Sequence, residues 1–311
     1  MSDLAEAPAS PYAGRTLVVL NPAAGQDDPG RVRRLLGGAF AVRGASFDLV
    51  ETAGAGDAER YAREAVRLGY RAVVAVGGDG TVAEAITGLA GTATPLGIVA
   101  QGTGNQVACN LGIPRDVEGA VETAVHGVPR PMDLGQLADG RYFALMAGAG
   151  WDAEVMSAAT RELKDRWGFG AYLYAGFRRA LAPPSAHFRI TADAQAFEVD
   201  AATVIVANVG QIVYDLLPVD LRIGPGVSFH DGKLDVCIFA PRTFPDVAAV
   251  LWRVARGRYV GDDRMIYLQA ESIRIETDVP VVAQVDGDLT GTTPLEMRAV
   301  RGGVNVLVPA G

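Results

Sequence analysis

Five consecutive residues, Gly77-Gly78-Asp79-Gly80-Thr81, close an apolar run, Arg71–Val76, and lead directly into helical spacing at Val82, Ala85, Ile86 and Leu89. A strand, a glycine-dense turn and a helix start together hold phosphate well. Glycines let backbone N–H groups approach an anion with no Cβ in the way, and the helix N-terminus adds partial positive charge. The aspartate is the unusual member. A carboxylate beside phosphate is favourable only when a cation such as Mg²⁺ lies between them. The pentapeptide therefore points to a nucleotide with its metal. A plain strand-to-helix turn accounts for part of it, because Thr81 and Glu84 fit a capping box. It leaves Gly77, Gly78 and Asp79 unexplained.

A second constellation lies near the C-terminus. In Val285-Asp286-Gly287-Asp288 one glycine separates two carboxylates. Two such groups at close range raise each other's proton affinity, which suits one of them to general-base work. Asp-Gly is also a common hairpin dipeptide, so the segment taken alone reads as a turn, and only the other motifs favour catalysis.

The elements that must position these residues fall into two textures. Thr16–Leu20, Phe47–Val50, Arg71–Val76 and Leu96–Ala100 read as strands. They alternate with helical patterns at Val32–Phe40, Ala58–Val66, from Val82, at Gln106–Leu111 and at Val117–Val125. Such alternation implies a doubly wound parallel sheet whose ligand lies beyond the C-terminal strand ends. Three glycine-bearing turns fall there: Asn21-Pro22-Ala23-Ala24-Gly25, Gly77–Thr81 and Gly102-Thr103-Gly104-Asn105. After Asp133 short β-type runs dominate, at Tyr142–Ala147, Phe188–Thr191, Thr203–Ala207, Leu234–Phe239, Ser272–Glu276, Val281–Val285 and Val304–Val308. Helical insertions are expected near Gly168–Leu181 and Phe244–Arg256. The predicted organisation is α/β over 12–133, with a strand near 300–311 returning to it, and an antiparallel β-rich domain over 134–299.

Composition narrows the function classes. The 311 residues are 49% hydrophobic and 21% charged, as in folded globular chains. A net charge of −8 and a pI near 5.0 argue against a nucleic-acid partner. Cys109 and Cys237 are isolated, and His126, His187 and His230 have no zinc-ligand spacing. No secretory signal is visible at the N-terminus, and the long uncharged stretch Ala85–Pro114 is too rich in glycine and polar residues to span a membrane. A cytoplasmic protein is expected. There is no GxSxG, HExxH or Walker motif. Gly78–Ala83 matches GxGxxA, but it follows the third strand and carries an acid where pyrophosphate would sit, which argues against a dehydrogenase.

The order and spacing of Asn21-Pro-x-x-Gly25, Gly77–Thr81, Gly102–Asn105 with Leu111-Gly-Ile-Pro114, and Val285–Asp288 resemble the diacylglycerol kinase catalytic-domain family, which includes sphingosine kinases. The resemblance runs from about Thr16 to Pro309. It implies an NAD-kinase-like nucleotide domain, a β-sandwich domain and an active site in the cleft. It assigns Asn21–Gly25, Thr52, Gly77–Val82, Gly102, Thr103 and Asn105 to ATP, and Asp79 and Asp133 to the catalytic Mg²⁺. Asp286 or Asp288 becomes the general base. The Asp231 carboxylate and the Ser228 and Lys233 carbonyls become a second, structural Mg²⁺ site. Three positions depart from the family pattern: Gln101 in place of proline, Gln106 in place of aspartate, and Asp288 in place of glutamate.

The implied activity is transfer of the ATP γ-phosphate to a lipid hydroxyl, diacylglycerol- or sphingoid-like. A lipid acceptor places the protein peripherally at the inner membrane face, with a homodimer left open. Phe169, Tyr172, Leu173, Phe177 and Leu181 share a helical face beside Arg178 and Arg179. That face suits either anionic headgroups or the second domain's core. Two other readings stay open. One is a nucleotide- or lipid-binding protein with weak catalysis, consistent with Gln106 and Asp288. The other is a kinase of a soluble acceptor, as in NAD kinases.

Overall fold

The computed structural model describes residues 10–25, 27–151, 183–210 and 224–310. Its contacts divide the chain into two units, Met1–Pro131 with Gly303–Gly311, and Met132–Gly302. The helix expected near Gly168–Leu181, with its aromatic and arginine residues, lies outside the described residues.

The first unit is built on β1 (Thr16–Leu20), β2 (Phe47–Glu51), β3 (Ala72–Gly77) and β4 (Leu96–Ala100). They pair in parallel in the order β2-β1-β3-β4, and Val306 from the chain's last strand pairs in parallel with Leu96. Every residue of β1, β3 and β4 is buried, as expected of parallel strands covered on both faces. Between β1 and β3 the strand order reverses, because β2 lies on one side of β1 and β3 on the other. That reversal opens a crevice at the C-terminal strand ends.

Helices α1 (Pro29–Val42), α2 (Asp57–Leu68), α3 (Asp79–Leu89), α4 (Gln106–Asn110) and α5 (Val117–His126) complete the unit. Asp28 caps α1 by accepting from Arg31 N, with Pro29 at the first helical position, and Asp116 caps α5 by accepting from Gly119 N. The expected Thr81–Glu84 capping box does not form. α3 begins three residues earlier than Val82, at Asp79, with Gly78 as its cap. Glu84 instead accepts from the N–H groups of Gly56 and Ala58, so one helix supplies the cap for the start of its neighbour. Packing between α2 and α3 outweighs the local motif.

The second unit holds two antiparallel sheets. One runs β12 (Met265–Ala270), β11 (Leu234–Phe239), β10 (Thr203–Ala207), β7 (Met146–Gly150), β14 (Val282–Val285), β15 (Asp288–Thr292). The other places β13 (Ser272–Thr277) between the start of β16 (Leu295–Val308) and β8 (Ala186–Ala192), with β9 (Gln195–Ala201) at its edge. Phe188, Ile190, Ile273 and Ile275 from one sheet meet Val204, Val206, Val236, Ile238 and Ala283 from the other in a shared core. β5 (Val128–Leu137) pairs with β6 (Tyr142–Phe143), and α6 (Phe244–Ala255) follows β11.

One expected strand is broken. Tyr142–Ala147 reads as continuous, yet Ala144 and Leu145 interrupt it between β6 and β7. Their N–H groups leave the ladder for the Asp286 carboxylate. Strands β5, β12 and β15 mix polar and apolar residues without clean alternation and do not stand out in the sequence, whereas β9 was missed although Phe197, Val199 and Ala201 alternate with Glu198 and Asp200.

Gly88 is where α3 touches α2. A Cβ there would lie 2.6 Å from Glu59 O and 2.7 Å from the Ala62 Cβ. Alanine would raise helix propensity by up to about 1 kcal/mol. Overpacking of such a contact costs about 1–3 kcal/mol. Gly88→Ala is therefore expected to lower Tm, measured by calorimetry. An unchanged or higher Tm would show that the two helices separate at little cost.

Candidate active site

The three glycine-bearing turns of the first unit meet in space. Asn21, just past β1, donates from Nδ2 to Thr81 Oγ1 at 3.0 Å, and its Oδ1 accepts from Ala23 N at 3.0 Å. Its own N–H donates to Val76 O, so the ends of β1 and β3 are tied together. Gly25 takes a left-handed conformation, φ 75°, against the Gln101 carbonyl, where any Cβ would collide. Gly78 and Gly102 touch through their backbones: a Cβ on Gly102 would lie 2.6 Å from Gly78 Cα. Asn105 closes its own turn, accepting from Gly102 N and donating to Gly102 O.

This edge lines a cavity of about 340 Å³, bounded by Asn21, Ala23, Thr52, Gly80, Thr81, Glu84 and the 53–55 turn. Thr52 is held there by its N–H bond to Leu20 O. Pro22, Ala24 and Gly77 shape the two turns. Val82 is buried with its side chain in the core, so only its backbone belongs to this edge. Thr103 is exposed at the tip of its turn. Ala53, Gly54, Ala55 and Glu84 are lining residues that sequence reasoning missed. The signal available was the small-residue run Ala53–Gly56 after β2.

Asp79 does not cap its own helix. Its carboxylate turns to α4, accepting from the N–H groups of Val107 (3.3 Å), Gln106 and Asn105. Burial pushes this carboxyl above its ordinary value, and the N–H groups only partly oppose that. Gly104 sits between Asp79 and Gln106, where a Cβ would be 2.9 Å from Asp79 Oδ2 and 3.8 Å from Gln106 Cγ. Gln106 Nε2 donates to Gly104 O, while its Oε1 is buried with no partner. A buried carboxylate and an orphaned amide oxygen around one glycine are hard oxygen donors. That set fits Mg²⁺ with part of its water shell.

Asp133, Asp286 and Asp288 belong to the second unit. Asp133 is buried, and its two oxygens accept from Gly232 N (2.6 Å) and Gly302 N (2.7 Å). Its own N–H donates to Phe229 O, and its carbonyl accepts from Asn208. It thereby ties four chain segments together. Asp286 and Gly287 form the two-residue turn between β14 and β15, both at positive φ (47° and 94°), so the hairpin reading of Asp-Gly holds. The Asp286 carboxylate also accepts from Ala144, Leu145 and Met146 N–H at 2.8–2.9 Å. Asp288 begins β15 and is exposed.

In the 228–233 loop, Ser228 Oγ accepts from His230 N, Asp231 Oδ1 from Lys233 N, and Asp231 Oδ2 from Gln269 Nε2 at 3.3 Å. Gln269 is shared with Asp235, which sequence reasoning missed. Asp235 is fully buried; its Oδ1 accepts from Tyr267 and Gln269, and its Oδ2 has no partner. Burial, and secondarily the charge of Asp231, raise its carboxyl. An aspartate inside the buried run Leu234–Phe239 was the available signal. An orphaned carboxylate oxygen beside Asp231 suits a hard cation. Among the described residues no three His, Cys, Asp or Glu side chains gather as a metal cluster, so backbone carbonyls would have to complete any such shell.

Known proteins share this architecture. The model of the diacylglycerol kinase catalytic domain matches residues 15–137, and that of the YegS C-terminal NAD kinase beta sandwich-like domain matches residues 146–308. An uncharacterized protein of Synechocystis, sll0036, is 32% identical over 76% of this chain, which spans 54% of that protein's length. A diacylglycerol kinase of Bacillus subtilis is 28% identical over 95% of this chain and 96% of its own. A crystal structure of a diacylglycerol kinase from Bacillus anthracis matches with a TM-score of 0.73 at 23% identity, covering 95% of this chain and 97% of that one. At that identity the likeness is one of fold. With both domain models matched in order over nearly the whole length, the chain belongs to the diacylglycerol kinase catalytic-domain family, in its form with a YegS-type C-terminal domain.

Proposed function

We propose that this protein is an ATP-dependent lipid kinase that phosphorylates a lipid hydroxyl with the help of Mg²⁺. The observation that carries the reading is the convergence of three side-chain-poor turns at the C-terminal edge of the parallel sheet, with Asp79 among them. N–H groups at the start of α3 face that edge, and they are natural donors to phosphate oxygens. Asn21 fixes the first turn to Thr81, so donors from two turns are held before a nucleotide arrives. Pre-set donors need no reorganisation as charge develops in transfer. Asp79 and the Gln106 amide oxygen would hold the metal, which when bound offsets the charge of the phosphates. In this reading Gln106 is a neutral ligand where the family often has an acid.

On the acceptor side the two carboxylates divide the labour. Three lone-pair positions of Asp286 are already engaged by backbone N–H groups, so it organises the hairpin and positions its neighbour. Asp288, exposed two residues on, is free to accept the proton of the acceptor hydroxyl as the oxygen attacks phosphorus. The names of the family and of its Bacillus subtilis relative support a lipid acceptor. No helix among the described residues is long and apolar enough to cross a membrane.

Labelled ATP offered with diacylglycerol, monoacylglycerol, a sphingoid base, phosphatidylglycerol or NAD, and resolved by thin-layer chromatography, tests the reading directly. A labelled lipid is expected. Label on NAD alone would make the acceptor soluble, and no labelled product would leave a binding protein. Asp79→Ala is expected to abolish most transfer and most of the Tm rise given by Mg-ATP, with the fold intact by circular dichroism. An unchanged rate would remove Asp79 from the site.

The second pair of variants separates base from scaffold. Asp288→Asn is expected to lower kcat by roughly 10²–10⁴-fold with little change in KM for ATP. Asp286→Ala strips the acceptor from three N–H groups and should cost at least about 1–3 kcal/mol of stability, read by denaturant titration. Full activity in Asp288→Asn with loss in a stable Asp286→Asn would reverse the assignment.

A further inference from the structure

Helix α6 in the second unit is apolar on two faces. Only Asp246 and Arg253 of its twelve residues are charged. Val250 and Val254 pack inward with Tyr259 and Met265. On the other side Ala248, Leu251, Trp252 and Ala255, at helical i, i+3, i+4 and i+7, form a solvent-facing stripe. Leu251 is 59% exposed and Trp252 62%, and Val260 in the turn beyond is 73% exposed.

The helix's two charges are engaged by neighbouring segments. Asp246 closes a capping box with Thr243 and pairs with Arg264 at 3.1 Å. Arg253 pairs with Asp262 at 3.5 Å and donates to Val260 O. The stripe is thus left without a polar group. Cations frame it instead. The Arg256 guanidinium stacks 4.4 Å from the centre of the Trp252 ring. Arg242 before the helix and Arg258 after it are exposed, with no carboxylate partner among the described residues. From Arg242 to Val260 there are four arginines and one acid, in a chain whose net charge is −8.

We propose that α6 and the 256–260 turn are a docking surface for an anionic lipid bilayer. Leu251, Trp252 and Val260 would enter the boundary between headgroups and acyl chains, and Arg242, Arg256 and Arg258 would meet lipid phosphates. An exposed tryptophan bracketed by arginines on a short apolar stripe is the composition of an interfacial helix. A second copy of the chain fits less well. A two-fold contact through this stripe would oppose like arginines on the two copies. The docking surface deepens the lipid-acceptor reading and rests on it for its purpose, but its test needs neither nucleotide nor acceptor.

The test is co-sedimentation with vesicles of phosphatidylglycerol and phosphatidylcholine at low and high salt. Wild type is expected to pellet at low salt. Leu251→Ser/Trp252→Ser and Arg256→Glu/Arg258→Glu should each bind more than tenfold more weakly, and the arginine effect should fade at high salt. Trp252 emission should shift to shorter wavelength on vesicles. Trp252→Phe should lose that shift and still pellet, and both double variants should keep the circular dichroism spectrum and Tm of wild type, which excludes misfolding as the cause. Equal pelleting of wild type and both double variants, or no pelleting of wild type, overturns the proposal. So does a concentration-dependent dimer that Leu251→Ser/Trp252→Ser abolishes, since a second copy would then cover the stripe. If no lipid is phosphorylated yet binding follows the expected pattern, the kinase reading fails and the docking surface stands.

Discussion

Backbone meets backbone at Gly78 and Gly102 with no space for a side chain between them. The C-terminal edge of the parallel sheet in the first unit depends on that contact. If Gly102 carried a Cβ, 2.6 Å from Gly78 Cα, the turn after β3 and the turn after β4 would move apart. Asp79 would then lose the N–H donors of α4 that hold its carboxylate. The Gly25–Gln101 contact repeats the constraint on the other flank. These glycines cost chain entropy on folding. The compensation comes from the surrounding parallel sheet, whose strands β1, β3 and β4 are wholly buried and rigid enough to hold the turns in place.

The second unit uses a different device, the buried or half-buried carboxylate that collects backbone N–H groups. Asp133 accepts from two distant glycines and Asp286 from three consecutive residues. Charge-assisted bonds of this kind are worth about 1.5–3 kcal/mol each, roughly twice a neutral one. They hold irregular backbone that the sheet ladders cannot satisfy. Asp235 is the exception, an aspartate with one oxygen unpaired in a buried strand. Burial, and secondarily the charge of Asp231, raise its carboxyl above the ordinary value, against the hydrogen bonds from Tyr267 and Gln269.

Around α6 the same acid–base chemistry works outward. Asp262 lies under two guanidinium groups, Arg264 at 2.7 Å and Arg253 at 3.5 Å, and its carboxyl is depressed to about 2, chiefly by the Arg264 hydrogen bond. That cluster fixes the turn behind the helix and removes Arg253 from the solvent face. What remains outside is the apolar stripe with Arg242, Arg256 and Arg258, and the exposed carboxylate of Asp263 in the turn beyond.

The patterns that repeat along the chain are legible in the sequence. β4 and β10 fall where the apolar runs place them, and the three glycine turns lie at the strand ends because a parallel sheet puts all of them on one edge. Periodicity reports burial of a whole face, which is a local property of sequence. The roles of single polar side chains were not legible in that way. Thr81 and Glu84 have the spacing of a capping box, yet Thr81 bonds Asn21, sixty residues away, and Glu84 caps α2. Asp286 reads as a turn or a base, and only the fold brings Ala144, Leu145 and Met146 to its oxygens, splitting a strand that the sequence shows as continuous. Sequence by itself determined which segments are strands and helices and which turns crowd one edge. The tertiary structure alone decided which donor each carboxylate meets, because a hydrogen bond depends on the distance between residues far apart in the chain.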